Sequence, residues 1–389
     1  MSARDAVITG IGIVSCLGEG KDAHRAALTA GPAAPNLETG TFAPYSVHPL
    51  PEIDWGQQIP KRGDQRQMET WQRIGTYAAG LALDDAGMKG DESLCASMDM
   101  IVAAGGGERD EAADSLIVEA AAERSDRDAL LNEKLTTELR PTLFLAQLSN
   151  LLAGNISIVH KVTGSSRTFM GEEGAGVSAV DTAVARIRAG QSTHALVGGS
   201  YNCEHPDMLL AYELGGYLHR APWAPVWNRG GAEGGGIVTG SGGVFLVIEA
   251  RENAERRGAH VYAALGDVKA GRARRGRDDL AAAIATMAKD AAPGASLAIS
   301  AASGEPGATG AEADALSSLA LRGFSSLTGH LKEAQFPFAI SLAALALDAG
   351  IAVAPFSDGE TPLDEPQQEI LATAIGFASG EGMVSVRKA

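Results

Sequence analysis

Chemistry in a chain starts from its thiols, carboxylates and imidazoles, and here they are thinly spread. The three cysteines, Cys16, Cys95 and Cys203, are far apart and odd in number. That pattern fits neither a disulfide framework nor a zinc knuckle and predicts reduced, buried thiols. His194, His205 and His219 show no H-x-x-x-H spacing and no accompanying carboxylate cluster, so no metal is expected. The glycine-rich run 230–236 does not follow a strand and open a helix, as a dinucleotide site requires, so no nucleotide cofactor is expected either. One segment differs. Gly171-Glu172-Glu173-Gly174-Ala175-Gly176 turns from a strand into a helix and sets two carboxylates at a helix N-terminus. The helix dipole favours negative charge there, so Glu172 or Glu173 can simply cap the helix.

The elements that position this turn alternate along the chain. Apolar β-rich runs predict strands over 6–14, 98–104, 167–170, 194–198 and 242–249. Helical spacing predicts helices over 21–28, 67–86, 143–158, 177–189 and 250–257, the second stopped by Gly87. The stretch 31–60 is proline-rich and reads as a long loop, and 108–138 as a charged, helical insertion. From His260 a second set begins, with strands over 261–265, 297–300 and 383–387 and helices over 278–289 and 338–348. This alternation is that of an α/β fold. It divides into halves at 1–249 (with the insertion at about 108–140) and 250–389, joined without a flexible linker. One compact body built by duplication is expected.

Composition narrows the function. The 389 residues carry a net charge of −16, which argues against nucleic acid or anionic membrane as a general partner. Two basic clusters interrupt the acidity: Lys61, Arg62 and Arg66, and Lys269, Arg272, Arg274, Arg275 and Arg277. No apolar run approaches the roughly 18 residues of a spanning helix. The N-terminus enters its first strand without the apolar stretch of a signal peptide, so a soluble cytoplasmic protein is expected.

Several segments, in order, resemble the elongating β-ketoacyl-acyl-carrier-protein synthases of the thiolase superfamily. Val7-Ile8-Thr9-Gly10-Ile11-Gly12-Ile13-Val14-Ser15 is similar to that family's opening VVTGxGxVS, and Gly240-Ser241-Gly242-Gly243 through Ile248-Glu249 to its GEGAGxLVLE. Residues 251–262 match the helix and strand that follow. Thr328-Gly329-His330 resembles the KSxxGH box, and Gly376-Phe377 the GFGGTN ending. The resemblance implies a layered αβαβα fold of two similar halves.

It also implies four catalytic places: a cysteine at a strand-to-helix elbow, two histidines and a lysine. The cysteine's place falls on Glu173, the first histidine's on Ala302 and the lysine's on Ser325; only His330 matches. The threonines that hold phosphopantetheine fall on Gly304 and Pro306, and the acyl-pocket phenylalanine on Phe377. A competent catalytic set is therefore not expected. The pattern resembles chain-length factors, which lack the cysteine and pair with an active synthase as a heterodimer. Two alternatives stay open: a malonyl-carrier decarboxylase or residual synthase using Glu173 and His330 as an ion pair, and a homodimeric acyl-binding scaffold. Because acyl carrier protein is acidic, Arg66, Arg272, Arg274 and Arg275 are the expected carrier or partner contacts.

Overall fold

The computed structural model describes residues 3–32, 34–139 and 141–389, without the side chain of Leu143. Met1 and Ser2, at which the N-terminal expectation begins, lie outside these residues. Twelve strands run in chain order: β1 (Ala6–Ser15), β2 (Gly18–Glu19), β3 (Asp99–Ala103), β4 (Ser166–Phe169), β5 (His194–Tyr201), β6 (Gly242–Ala250), β7 (Ala263–Leu265), β8 (Lys269–Gly271), β9 (Leu297–Ser300), β10 (Ala320–Gly323), β11 (Glu369–Ile375) and β12 (Glu381–Arg387). They form one sheet in the order β10-β9-β11-β12-β7-β1-β6-β5-β3-β4, with β2 beside β1 and β8 beside β12.

That order contains the same motif twice. In the first half β3 lies parallel to β4 and β5, β5 antiparallel to β6, and β6 antiparallel to β1. In the second, β9 lies parallel to β10 and β11, β11 antiparallel to β12, and β12 antiparallel to β7. The halves join where β1 pairs antiparallel with β7. This is the expected fold of two similar halves in one body.

Helices cover both faces of the sheet. Helix Thr70–Asp85 packs on β1, β5 and β6 beside helix Leu151–His160, while helices Leu280–Ala291 and Pro306–Ala315 cover the second half. Between the halves lie helices Glu173–Arg188 and Gln335–Ala349, packed on each other and on strands of both sets. The latter is buried from Gln335 through Leu347, as an apolar helix in a central layer must be. Pro337 is tolerated because it sits in the first turn, where its missing N–H has no intrahelical partner.

Most expected elements are present within a few residues of their predicted ends. The helix expected over 143–158 is instead two, Pro141–Ala146 and Leu151–His160. The carbonyls at the break are taken from outside: Gln72 Nε2 donates to Ala146 at 3.3 Å and the Gly107 amide to Gln147 at 3.1 Å. The helix expected from 177 begins four residues earlier, at Glu173. Helices Glu92–Ser97, Pro206–Leu214 and Pro306–Ala315, and strands β10 and β11, were not expected.

β4 closes the path at one end, and its outer edge pairs with no strand among the described residues. Around it Ile158 is 55% and Met170 64% exposed. No helix among the described residues is long and apolar enough to cross a membrane.

The register of β1 under helix Thr70–Asp85 depends on Gly12, where a Cβ would fall on the Ala78 carbonyl. Gly12→Ala is expected to lower unfolding stability by about 2–3 kcal/mol, read as a shift of the urea midpoint. Gly106→Ala, with nothing in reach of the new methyl group, should stay within about 0.5 kcal/mol.

Candidate functional site

The turn between β4 and the central helix is strained. Gly171 has φ +131° and Glu172, which is not glycine, φ +56° and ψ −139°. Such a conformation costs about 1–3 kcal/mol and persists where surrounding contacts impose it. Here the Tyr212 hydroxyl donates to Glu172 Oε2 at 2.9 Å, and Lys332 Nζ lies 3.5 Å from Oε1. The elbow carries the next residue inward, so that Glu173 is 1% exposed in the first turn of the helix. Of the two carboxylates expected to cap the helix, Glu172, at the N-cap position, makes no side-chain cap, because its oxygens are held by Tyr212 and Lys332.

His330 reaches Glu173 from the other half. Residues 328–330 press against 238–241: the His330 amide donates to the Val238 carbonyl at 2.8 Å and the Gly240 amide to the His330 carbonyl at 3.0 Å. A Cβ at Gly240 would strike the Thr328 carbonyl, and Gly329 has φ +70°, so both turns need glycine. The result sets His330 Nε2 3.6 Å from Glu173 Oε1.

The pair is not the ion pair that was expected. Burial, reinforced by Glu172, raises the Glu173 pKa to about 8. Burial, together with Lys332 and Arg229, lowers that of His330 to about 3. Each shift favours the neutral form, and 3.6 Å exceeds a hydrogen bond. Proximity alone would suggest a salt bridge, but desolvation decides against it. Glu173 Oε1 accepts a long bond from the Phe377 amide, 3.4 Å. Glu173 Oε2 and both ring nitrogens of His330 have no partner among the described residues.

The other expected positions surround this pair without rebuilding the chemistry. Ala302 is buried at the end of β9, its amide donating to Ser300 Oγ at 3.0 Å. Ser325 Oγ accepts from Gln335 Nε2 at 3.1 Å, and the same amide nitrogen bonds the Ala301 carbonyl while Gln335 Oε1 accepts from the Leu331 amide. Gln335 therefore ties together the segments where a histidine and a lysine were sought. At Gly304 (φ +96°) the backbone meets Gly236, while Pro306 opens a helix capped by Glu305. Phe377 joins an aromatic cluster, with ring centres 4.7 Å from Tyr217, 5.7 Å from Tyr212 and 6.4 Å from His330.

The basic residues divide. Arg275 donates to Glu381 Oε1 at 2.6 Å and to the Gly376 carbonyl, which commits it to supporting the 376–381 loop. Arg274 is exposed and paired with Asp278. Exposed Arg272 lines a cavity of about 220 Å³ whose walls include Met170, Gly174, Ser178 and Glu381. Arg66 stands apart, on the exposed helix Arg62–Gln67.

Sequence reasoning missed Tyr212, Lys332, Glu333 and Arg229. Lys332 and Glu333 directly follow the Gly-His pair, and that adjacency was the available signal. Glu333 is raised to about 7 by burial, while Glu333 and Glu172 outweigh burial to hold the Lys332 pKa above its ordinary value. Arg229 is 1% exposed, and its Nη2 has no partner among the described residues.

Comparison with known proteins agrees with this architecture. Residues 3–254 match the family described as β-ketoacyl synthase, N-terminal domain. A 3-oxoacyl-[acyl-carrier-protein] synthase 2 from Vibrio harveyi is 25% identical over 274 residues, 68% of this chain and 62% of the relative. The tetracenomycin polyketide synthase ketoacyl synthase beta subunit of Streptomyces glaucescens is 29% identical over 267 residues, 66% of this chain and 61% of the relative. These matches thus span about three fifths of each relative's length. The solved ishigamide ketosynthase/chain length factor superposes over 100% of both chains with a TM-score of 0.77 at 20% identity, a likeness of fold.

The buried carboxyl makes a pH prediction. With a folded pKa of about 8 against an ordinary 4.5, the folded state holds the proton more tightly than the unfolded one. The stabilisation linked to that proton is fully present below pH 4.5 and is lost as pH rises through about 8. Glu173→Gln should therefore flatten the fall in urea midpoint across this range, leaving a residual slope from Glu312 and Glu333, both raised to about 7 by burial. An unchanged slope would show that Glu173 is ionised in the fold.

Proposed function

Given that this chain belongs to the β-ketoacyl synthase family, we propose that it is a catalytically degenerate member, resembling chain-length factors, that acts beside an active synthase in fatty acid or related acyl-chain synthesis. The observation that carries this reading is Glu173, a buried carboxyl in the first turn of the elbow helix, at the place the resemblance gives to the nucleophilic cysteine. A protonated carboxyl cannot hold an acyl chain as a thioester. Ala302 offers no side-chain donor, and Ser325 is engaged by Gln335. Losing the members of a catalytic set lowers rates by several orders of magnitude.

The open edge of β4 supports a partner. An unpaired strand edge invites pairing with another chain, and here it is flanked by exposed Ile158 and Met170. A synthase adding its own strand there would continue the sheet into a heterodimer; a second copy would make the homodimer. In this reading the halves 1–249 and 250–389 move as one body, the pair works in the cytoplasm, and Phe377 borders the acyl tunnel. Among the similar proteins are a Streptomyces subunit named as the beta subunit of a ketoacyl synthase and a solved ketosynthase/chain length factor, names that fit a paired subunit.

A second reading is favoured by one finding. Burial keeps the Glu173 carboxyl protonated, so it retains an O–H donor that could face a thioester oxygen during malonyl decarboxylation. One assay separates the two. Malonyl- and acyl-carrier protein are supplied to this chain alone, to the cysteine-containing synthase encoded nearest to it, and to the mixture. Condensation only in the mixture, with a heterodimer by native mass, is expected. Decarboxylation by this chain alone, abolished by Glu173→Ala, would replace that reading with the second.

Acyl carrier protein would dock where exposed basic residues meet the cavity beside the elbow. The Arg272→Glu, Arg274→Glu double variant is expected to weaken carrier binding at least 10-fold, measured by titration calorimetry at low salt. Arg275→Glu should instead lower stability, because it deprives buried Glu381 of its partner. Unchanged affinity in the double variant would remove this surface from the proposal.

A further inference from the structure

The elbow and the 328–333 turn bring together carboxylate and imidazole donors that the proposed partner role leaves unused. One carboxylate oxygen each from Glu172 and Glu173 and a ring nitrogen of His330 all lie within 4.8 Å of one another. From this constellation the geometry points to a binding site for one divalent first-row transition cation of the Zn²⁺ class, held by Glu172, Glu173 and His330.

Two observations support it. First, the spacing fits. Zn²⁺ binds imidazole nitrogen and carboxylate oxygen at about 2.0–2.2 Å, which puts two tetrahedral ligands roughly 3.4 Å apart. Glu173 Oε1 and His330 Nε2 are 3.6 Å apart. A Glu172 oxygen lies within 4.8 Å of the other two donors, and its side chain, 34% exposed, would close the remaining gap by giving up its 3.5 Å contact with Lys332. Second, the buried donors are unspent. Glu173 Oε2 and both His330 nitrogens are enclosed and lack partners among the described residues. An orphaned buried polar atom costs about 1–3 kcal/mol, and an ion taking Glu173 and one ring nitrogen of His330 would relieve part of that cost.

The chemistry of the donors selects the ion. One imidazole and two carboxylates suit Zn²⁺, Co²⁺, Mn²⁺ or Fe²⁺ better than Ca²⁺ or Mg²⁺, which prefer all-oxygen shells. Three protein ligands would leave a fourth position open. Glu172, the most exposed of the three, marks the side of entry. The Tyr212 hydroxyl and the Phe377 amide, already bonded to Glu172 Oε2 and Glu173 Oε1, would orient the two carboxylates.

All three ligands belong to this chain, so the test uses this chain alone. The chelator-treated full-length protein is titrated with Co²⁺, followed by visible absorption, and then with Zn²⁺ in competition. One ion per chain is expected, with a tetrahedral Co²⁺ spectrum that Zn²⁺ abolishes. Glu173→Gln and His330→Ala should each weaken binding at least 10-fold. Glu172→Gln, at the exposed edge of the site, gives a third variant that keeps the test open if either buried substitution prevents folding. His205→Ala, which removes the imidazole beside Asp207 and Glu111, should leave the titration unchanged. Failure to bind at one ion per chain, binding indifferent to all three site variants, or binding lost in His205→Ala would overturn the assignment. None of these outcomes touches the condensation result, so either proposal can fail without the other.

Discussion

The central helix and the turn at Glu333 approach so closely that no side chain fits between them. A Cβ at Gly176 would lie 2.6 Å from the Glu333 carbonyl oxygen. That contact locks the first turn of helix Glu173–Arg188 against the segment that carries His330, across the junction of the two halves. Glu173 and His330 face each other as a consequence. The strain at Glu172, the pressed glycines at 240 and 329, and the aromatic cap of Tyr212, Tyr217 and Phe377 are further results of holding two backbones at that distance.

What the locked elbow costs shows what the chain has kept. A fold selected for stability alone would place glycine at a φ of +56° and apolar side chains at the centre of its core. Here a glutamate bears the strain, and a carboxyl and an imidazole are buried without hydrogen bonds sufficient to satisfy them. By contrast, the neighbourhood of Ala302 and Ser325 has been made structural. Gln335 spends both ends of its amide bridging Ala301, Ser325 and Leu331, and nothing there is left over. One side of the site has settled into packing while the other keeps unsatisfied polar groups.

The sequence revealed the fold well because fold information is local and repeated. The apolar β-branched run of β1, the strand–turn–helix at 166–188 and the strands at 242–250 and 297–300 each announce themselves over a few residues. The break between Ala146 and Leu151 was hidden, because Gln72 and Gly107, far away in the chain, take the carbonyls that would have continued the helix. Of the site, Glu173, His330, Ala302, Ser325 and Phe377 were legible through position within motifs. Their electrostatics were not. A glutamate beside a histidine suggests an ion pair on paper, and only the depth of burial reverses that to two neutral groups. The meeting of Glu172 and Glu173 with His330 was likewise invisible, because they stand about two fifths of the chain apart in sequence, and a spacing rule sees only neighbours.

The open strand and the strained elbow are neighbours, and this ties the two proposals to one piece of backbone. β4 ends at Phe169, and only Met170 and Gly171 separate it from Glu172. A partner strand laid along β4 would fix the direction in which the chain enters the elbow, and hence how Glu172 is presented to Tyr212, Lys332 and His330. If both proposals hold, an occupant of the elbow and a partner on β4 would change each other's affinity by the same factor, as two coupled binding events must.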